Sequence, residues 1–341
     1  MTTTQAAPRR PRTRRDRAAD QPVPEAEFTS YYGRQVVKPA PWDVRIPLYM
    51  FTGGLAAGSS LLAAGAQLTG RPALRQAGRL TAAGALAVSL GALVTDLGRP
   101  ERFLNMLRTV KLTSPMSVGT WLLSIYGAPA GVAALEEMVR LTPLDPGAGP
   151  VRLLRTVGGP SGVLAALTAP PVAAYTAVLL SDTSTPSWRS AYRELPFVFC
   201  ASAAAASGGT AMVTTPVAQA GPARRLAVAG AVVELAAEQV MERSMGLAAE
   251  PLHTGKGGRY MRAAKALTAA GAVGTLLAGR RRWAAVLSGA ALAAGSFCTR
   301  MGVFEAGQAS ARDPKYTVVP QRERVDRGEE VRFTPRGEGT R

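Results

Sequence analysis

Residues 47–68 read PLYMFTGGLAAGSSLLAAGAQL, 22 positions without one charged side chain. A helix needs roughly 20 mainly apolar residues to cross the hydrocarbon of a bilayer. Within lipid every backbone N–H and C=O must be satisfied internally, and a helix does this segment by segment. The stretch therefore predicts a membrane-crossing helix and sets the scale for reading the rest. Seven more mainly apolar stretches of similar length follow, at about 79–95, 116–138, 161–181, 196–215, 223–242, 262–279 and 283–303. The seventh is the weakest, because its uncharged part starts only after Lys265. Arg262 and Lys265 must snorkel to the interface there. The pattern predicts an all-α membrane protein of about eight transmembrane helices.

Whole-chain averages hide this pattern. The 341 residues are 47% hydrophobic and only 6% aromatic, and the mean hydropathy is +0.07. The ends are polar and Arg-rich, and the middle is Ala/Leu/Val/Gly-rich. A formal charge of +17 often accompanies nucleic-acid binding. Here the cations sit between the apolar runs, as membrane flanks do, so nucleic acid is rejected as a partner. Counted by side, 28 Lys/Arg fall on the N-terminal side and 11 on the other, with Arg300 inside the last stretch. That bias predicts cytoplasmic termini in a bacterial plasma membrane. Without the tails the two sides are level.

Three regions follow. Residues 1–30 carry Arg9, Arg10, Arg12, Arg14, Arg15 and Arg17 among prolines and have no apolar face, which predicts a disordered basic tail. No apolar run follows the paired arginines closely, which argues against a twin-arginine signal. Residues 31–308 form the membrane domain, and 309–341 read as a polar C-terminal tail. Ser114-Pro115 suits an N-cap and first helical position. Trp42, Tyr49, Trp188 and Trp283 sit where interfacial aromatics are expected. Gly, Ala, Ser and Thr are abundant in the spans and predict close helix packing.

Few residues can carry chemistry. The chain has one histidine, His253, in a polar loop, so two axial imidazoles for a membrane haem are not available. Cys200 and Cys298 lie inside apolar runs and are too few for an iron–sulfur cluster or a structural zinc. Asp96 and Arg99 lie three apart at a membrane boundary. They read either as a salt bridge closing the turn or as part of a headgroup or docking site. Phe103, Leu107 and Val110 fall at helical spacing and predict a short interfacial helix. Pro170-Pro171 then Tyr175 mark a broken fourth span, either a kink or a cavity lining. Tyr126 in the third span can donate to a carbonyl, most often a backbone one. Glu234, Glu238 and Glu242 are spaced four apart on one face of the sixth span. A carboxylate at mid-membrane costs about 3 kcal/mol on insertion scales, so it needs a partner or a task. An ion pair with Arg300 and a proton relay through Glu234 and Glu238 both answer that need.

Several segments, taken in order, resemble one family, the NrfD/PsrC-type integral membrane subunits of molybdopterin oxidoreductase complexes. They are Tyr31-Tyr32-Gly33-Arg34 with Phe51-Thr52-Gly53-Gly54, Asp96-Leu97-Gly98-Arg99-Pro100, Thr113-Ser114-Pro115-Met116-Ser117, Tyr175-Thr176-Ala177-Val178-Leu179-Leu180-Ser181 and Leu195-Pro196. The resemblance spans about 31–319. It implies eight helices built as overlapping four-helix bundles, with no haem or other bound redox cofactor. It implies docking of a ferredoxin-like iron–sulfur subunit beside a molybdopterin catalytic subunit, and electron exchange with membrane quinone. Ala309-Ser310-Ala311-Arg312-Asp313-Pro314-Lys315-Tyr316 looks like the formate dehydrogenase-like branch. Such a chain is a non-catalytic or quinone-reactive subunit. On these positions quinone binding falls to Asp96, Arg99, Tyr126 and Tyr175, and partner docking to Arg102, Asn105 and Arg108. Position 177 is Ala where the family usually has Gly. The first span also lacks the polar or His side chain that some relatives place near the quinone ring. The competing reading is a secondary transporter or proton-conducting protein, which the kinked fourth span and the glutamates suit. A third is an inert membrane tether, against which the carboxylate at depth argues.

Overall fold

The computed structural model describes residues 35–96, 99, 101 and 105–328. Eleven α-helices account for most of them: α1 (Arg45–Leu68), α2 (Pro72–Asp96), α3 (Pro115–Arg140), α4 (Gly149–Ser181), α5 (Pro186–Ser190), α6 (Leu195–Thr214), α7 (Gly221–Ser244), α8 (Glu250–His253), α9 (Gly255–Ala278), α10 (Arg282–Arg312) and α11 (Lys315–Asp326). No strand occurs among the described residues.

Eight of these helices are long, and they coincide with the eight stretches expected. Six of them, α1, α2, α3, α4, α6 and α10, are long and apolar enough to cross a membrane on length and composition alone. The other two, α7 and α9, are more polar. They pack against α6 and α10, and Glu234 of α7 is met there by the Thr299 hydroxyl of α10. The long helices alternate in direction. α1, α3, α6 and α9 begin on one face, the N-terminal face, and α2, α4, α7 and α10 begin on the opposite one.

The helices fall into two groups of four, α1–α4 and α6, α7, α9, α10, which meet where α1 and α4 pack on α6 and α1 packs on α10. Without an aqueous driving force, helices in lipid associate through close packing of small residues. Gly209 of α6 and Gly289 of α10 show how close. A Cβ built on Gly209 would stand 2.5 Å from the Gly289 carbonyl oxygen, so any side chain there forces the helices apart.

Charge closes the first group near the opposite face. Arg79 of α2, 4% exposed, donates to Glu136 and to Glu137 of α3 (3.1 Å), to Gln67 of α1 (2.7 Å) and to the Gly158 carbonyl of α4 (3.2 Å). Arg75 adds a two-pronged contact to Glu137 at 3.0 Å, and Arg140 pairs with Glu136. One guanidinium thus touches all three neighbouring helices. Arg282 works differently: it donates to the carbonyls of Met212 (3.0 Å), Val213 (2.5 Å) and Thr215 (2.9 Å), satisfying the end of α6 where helical carbonyls lack N–H partners.

Four expectations are revised. Tyr49 and Trp188 are core residues, 2% and 1% exposed, and only Trp283 is the exposed aromatic anticipated. Trp188 donates to the Val303 carbonyl (2.8 Å) and sits over Gly307, where any Cβ would meet its ring. α4 begins twelve residues before the apolar stretch and stays helical through Pro160, Pro170 and Pro171. The polar end is not all tail: α10 runs to Arg312, and α11 follows with Tyr316 buried. Of the expected interfacial helix, Asn105 and Met106 are helical and the helix stops at Leu107, while Phe103 lies outside the described residues.

Candidate functional site

Pro171, Ala174, Tyr175, Val178 and Asp182 of α4 and its end face Pro115, Val118 and Leu122 of α3 across a groove of about 460 Å3. It is mostly apolar and opens near the N-terminal face. Pro170 and Pro171 cannot donate backbone hydrogen bonds one turn back, and broken backbone is tolerated in lipid where it lines a cavity. Pro171 is such a lining residue.

Tyr175 forms the floor. Its ring lies over Gly119 of α3, and a Cβ on Gly119 would overlap the ring atoms. Its hydroxyl is 3.2 Å from the hydroxyl of Tyr49 on α1. Two phenols are thus linked in the core, one of them against the groove. Ser89 of α2 donates to the Tyr49 carbonyl (3.2 Å), fixing α1 against α2 at this level. Sequence reasoning missed Tyr49 as a site residue, because an aromatic near a span end reads as interfacial until its partner on α4 is known.

The other expected quinone residues do not join Tyr175. Tyr126, fully buried, shares a 2.9 Å hydrogen bond with the Ser60 hydroxyl of α1, so its partner is a side chain and not the backbone carbonyl expected. It lies two turns, about 10 Å, along α3 from Gly119. Asp96 ends α2 within electrostatic reach of Asp43 and Arg45. Arg45 in turn donates to the Thr95 carbonyl (2.7 Å). No ion pair joins Asp96 to Arg99, so the turn-closing salt bridge is absent among the described residues. Asn105 and Arg108 are placed on the α2–α3 connection, both exposed; Arg102 lies outside the described residues.

In the second group Glu234 and Glu238 are both 1% exposed. The Thr299 hydroxyl of α10 donates to Glu234 Oε1 (2.8 Å) and lies within hydrogen-bonding reach of Glu238. Arg300, also 1% exposed, donates to the Phe199 carbonyl (2.8 Å) and stands 3.9 Å over the Phe199 ring. The expected direct ion pair with Glu234 is not made within 4.0 Å, although the two charges interact. Glu242 is paired instead with Lys265 (2.6 Å), with His253 3.8 Å away.

Long apolar helices joined by short links, with ionisable groups buried only inside the bundle, define a multi-pass integral membrane protein. The family model for polysulphide reductase, NrfD, matches residues 34–249, and the chain belongs to that family. Members are membrane subunits of molybdopterin oxidoreductase complexes, partnered by iron–sulfur and molybdopterin subunits. No curated protein matches the chain. The matched region ends in the turn after α7, so α9 and α10 lie beyond it.

Proposed function

We propose that this chain is the quinone-reactive membrane anchor of a molybdopterin oxidoreductase complex of the formate dehydrogenase-like kind. It exchanges electrons between an iron–sulfur partner and quinone in a bacterial plasma membrane. The observation that supports this most is the α3–α4 groove with Tyr175 on its floor. An apolar slot open to lipid suits a ring that arrives through the bilayer. The Tyr175 hydroxyl supplies the directional hydrogen bond that a quinone carbonyl accepts, and Tyr49 behind it holds that hydroxyl in place. When bound, quinone supplies the two-electron, two-proton chemistry. The chain's own task is to orient the ring, keep bulk water out and deliver protons at its oxygens.

In this reading Asn105 and Arg108 belong to the docking surface on the N-terminal face, which we assign to the cytoplasm. Tyr126 and Asp96 then take supporting positions, and Glu234 and Glu238 hold protons. The test is Tyr175→Phe in the assembled complex. The ring is kept and one hydroxyl is lost, so quinone-dependent kcat/KM should fall about tenfold, or roughly 1.4 kcal/mol. Activity of the catalytic subunit toward a soluble electron acceptor should not change. Equal quinone kinetics in Tyr175→Phe and wild type would remove the groove from the reaction.

A further inference from the structure

The glutamates of α7 form part of a longer line of polar groups. It starts at His253, whose side chain is 56% exposed on the N-terminal face, and passes to Glu242, 8% exposed and paired with Lys265. One helical turn inward, about 6 Å, lies Glu238, and one further turn Glu234. The Thr299 hydroxyl bridges that last step. Beyond Glu234, Ser202 of α6 lies within hydrogen-bonding reach and donates to Ser296 of α10 at 2.8 Å. Arg300, next to Thr299 on α10, flanks the line and turns its guanidinium toward Gly54 of α1.

Three features mark this line as more than packing. Glu234 Oε2, Glu238 Oε2, Thr268 Oγ1, and Arg300 Nε and Nη1 are buried without a hydrogen-bond partner. Buried polar atoms of that kind are satisfied by internal water, and a site with this many is polar enough to hold it. Charge adds a second feature: two carboxylates face a single guanidinium, so the chamber is neutral with one proton bound. The third is one-sidedness. Between Ser296 and the opposite face, residues 203–214 of α6, 221–233 of α7, 269–278 of α9 and 282–295 of α10 include no Asp, Glu, His, Lys or Tyr. Arg224, Arg225 and Arg282 stand only at the helix ends there.

We propose that this half of the molecule is a one-sided proton-uptake path, open at His253 on the N-terminal face and closed beyond Glu234 and Ser296. A proton from water is taken up at His253 or Glu242 and passed inward to Glu238 and, through Thr299 and internal water, to Glu234. The net change is one hydronium consumed at the face and one carboxyl O–H bond formed inside. Lys265, 2.6 Å from Glu242, fixes that carboxylate at the mouth of the path and so sets the access point. The path rests on the quinone reading only for where the proton is finally consumed. A line closed at one end cannot carry protons across the membrane, which separates this chain from a channel or transporter.

The full chain in lipid nanodiscs tests the path. After a rapid pH jump, time-resolved infrared spectra read protonation of buried carboxyl groups. Wild type should give a carboxyl band that is lost in Glu238→Gln and Glu234→Gln. Its rise should slow on the order of 100-fold in Glu242→Gln combined with His253→Ala. Thr299→Val keeps both carboxylates in near-isosteric surroundings and should slow the rise too, which preserves the test should the Gln variants not fold. A band unchanged in both Gln variants, or a rise indifferent to Glu242, His253 and Thr299, overturns the proposal. In sealed vesicles the chain should show no sustained proton flux, and steady flux would overturn the closed end. Normal infrared behaviour with lost quinone turnover in Tyr175→Phe would leave the path standing and localise the quinone step to the groove.

Discussion

Replacing Arg79 with Met removes the one guanidinium that joins α1, α3 and α4 to α2 while keeping much of its length. The loss can be worked from its contacts. Two hydrogen bonds to the carboxylates of Glu136 and Glu137 disappear, each about 1.5–3 kcal/mol, together with bonds from the same cation to the neutral carbonyls of Gln67 and Gly158. Neither carboxylate is stranded, because Arg140 still holds Glu136 and Arg75 still holds Glu137. That backup keeps the cost at roughly 3 kcal/mol, the low end of what is lost when breaking a buried pair leaves a charge uncompensated. Arg75→Met, at a position one-fifth exposed, should cost only about 1–2 kcal/mol. The double variant leaves Glu137 buried and unpaired and should cost more than the two singles together. Unfolding in mixed SDS micelles, followed by circular dichroism, gives all three values. An Arg79→Met protein within about 1 kcal/mol of wild type, or an Arg75→Met change that proves the costlier single one, would refute this role for Arg79.

Gly119→Ala places a methyl group in the Tyr175 ring and should cost about 1–3 kcal/mol of stability while lowering quinone turnover in the complex. Unchanged turnover would show that the Tyr175 position is not needed. Arg282→Ala strips three carbonyls at the end of α6 of their donor and should cost about 1–2 kcal/mol in the same unfolding assay; an equal effect from neighbouring Arg281→Ala would argue against the contact. Its hydrogen bond to Glu250 holds the Lys315 ammonium above the usual lysine range, and burial raises Tyr316 beside it. A group raised in the folded state stabilises below its unfolded value, about 10.4, and loses that effect as pH climbs through the folded one. Limited proteolysis of α11 should therefore stay flat from about pH 6 to 9 and accelerate only in strongly alkaline buffer. Acceleration already in the neutral range would mean that the Lys315–Glu250 contact does not hold the helix.

Six of the eight long helices were legible because charge avoids lipid, and nearly uncharged runs of about 20 residues seldom arise outside a bilayer; α7 and α9 were legible only from the Ala-rich stretches between their charges. Their ends were less so. Arg152, Arg155 and Pro160 gave the start of α4 the look of a loop, yet nothing in them forbids a helix that projects beyond the bilayer. The glutamates of α7 were legible as one face from their spacing of four. What stabilises them was not, since Thr299 and Arg300 arrive from α10, with Thr299 65 residues beyond Glu234. Tyr49 and Trp188 were misplaced for the same reason: Tyr175 and Gly307, which make room for them, are distant in sequence. The network around Arg79 had no local signal, because its carboxylates sit at what reads as the polar edge of the third span.

The polarity of α7 and α9 bears on how the chain enters the membrane at all. A charged residue near the centre of an inserting helix costs about 2.5–3.5 kcal/mol, and α7 carries two buried glutamates with few strongly apolar residues to offset them. α6 emerges first and is apolar enough to stay in lipid alone. Its small-residue face, with Gly208 set against α7, offers that helix a protein surface instead of lipid. α9 has to wait for α10, made last. A chain cut after α9 would therefore leave that helix at the translocon without its partner and expose the carboxylates of α7, a state that quality-control proteases in the membrane would remove.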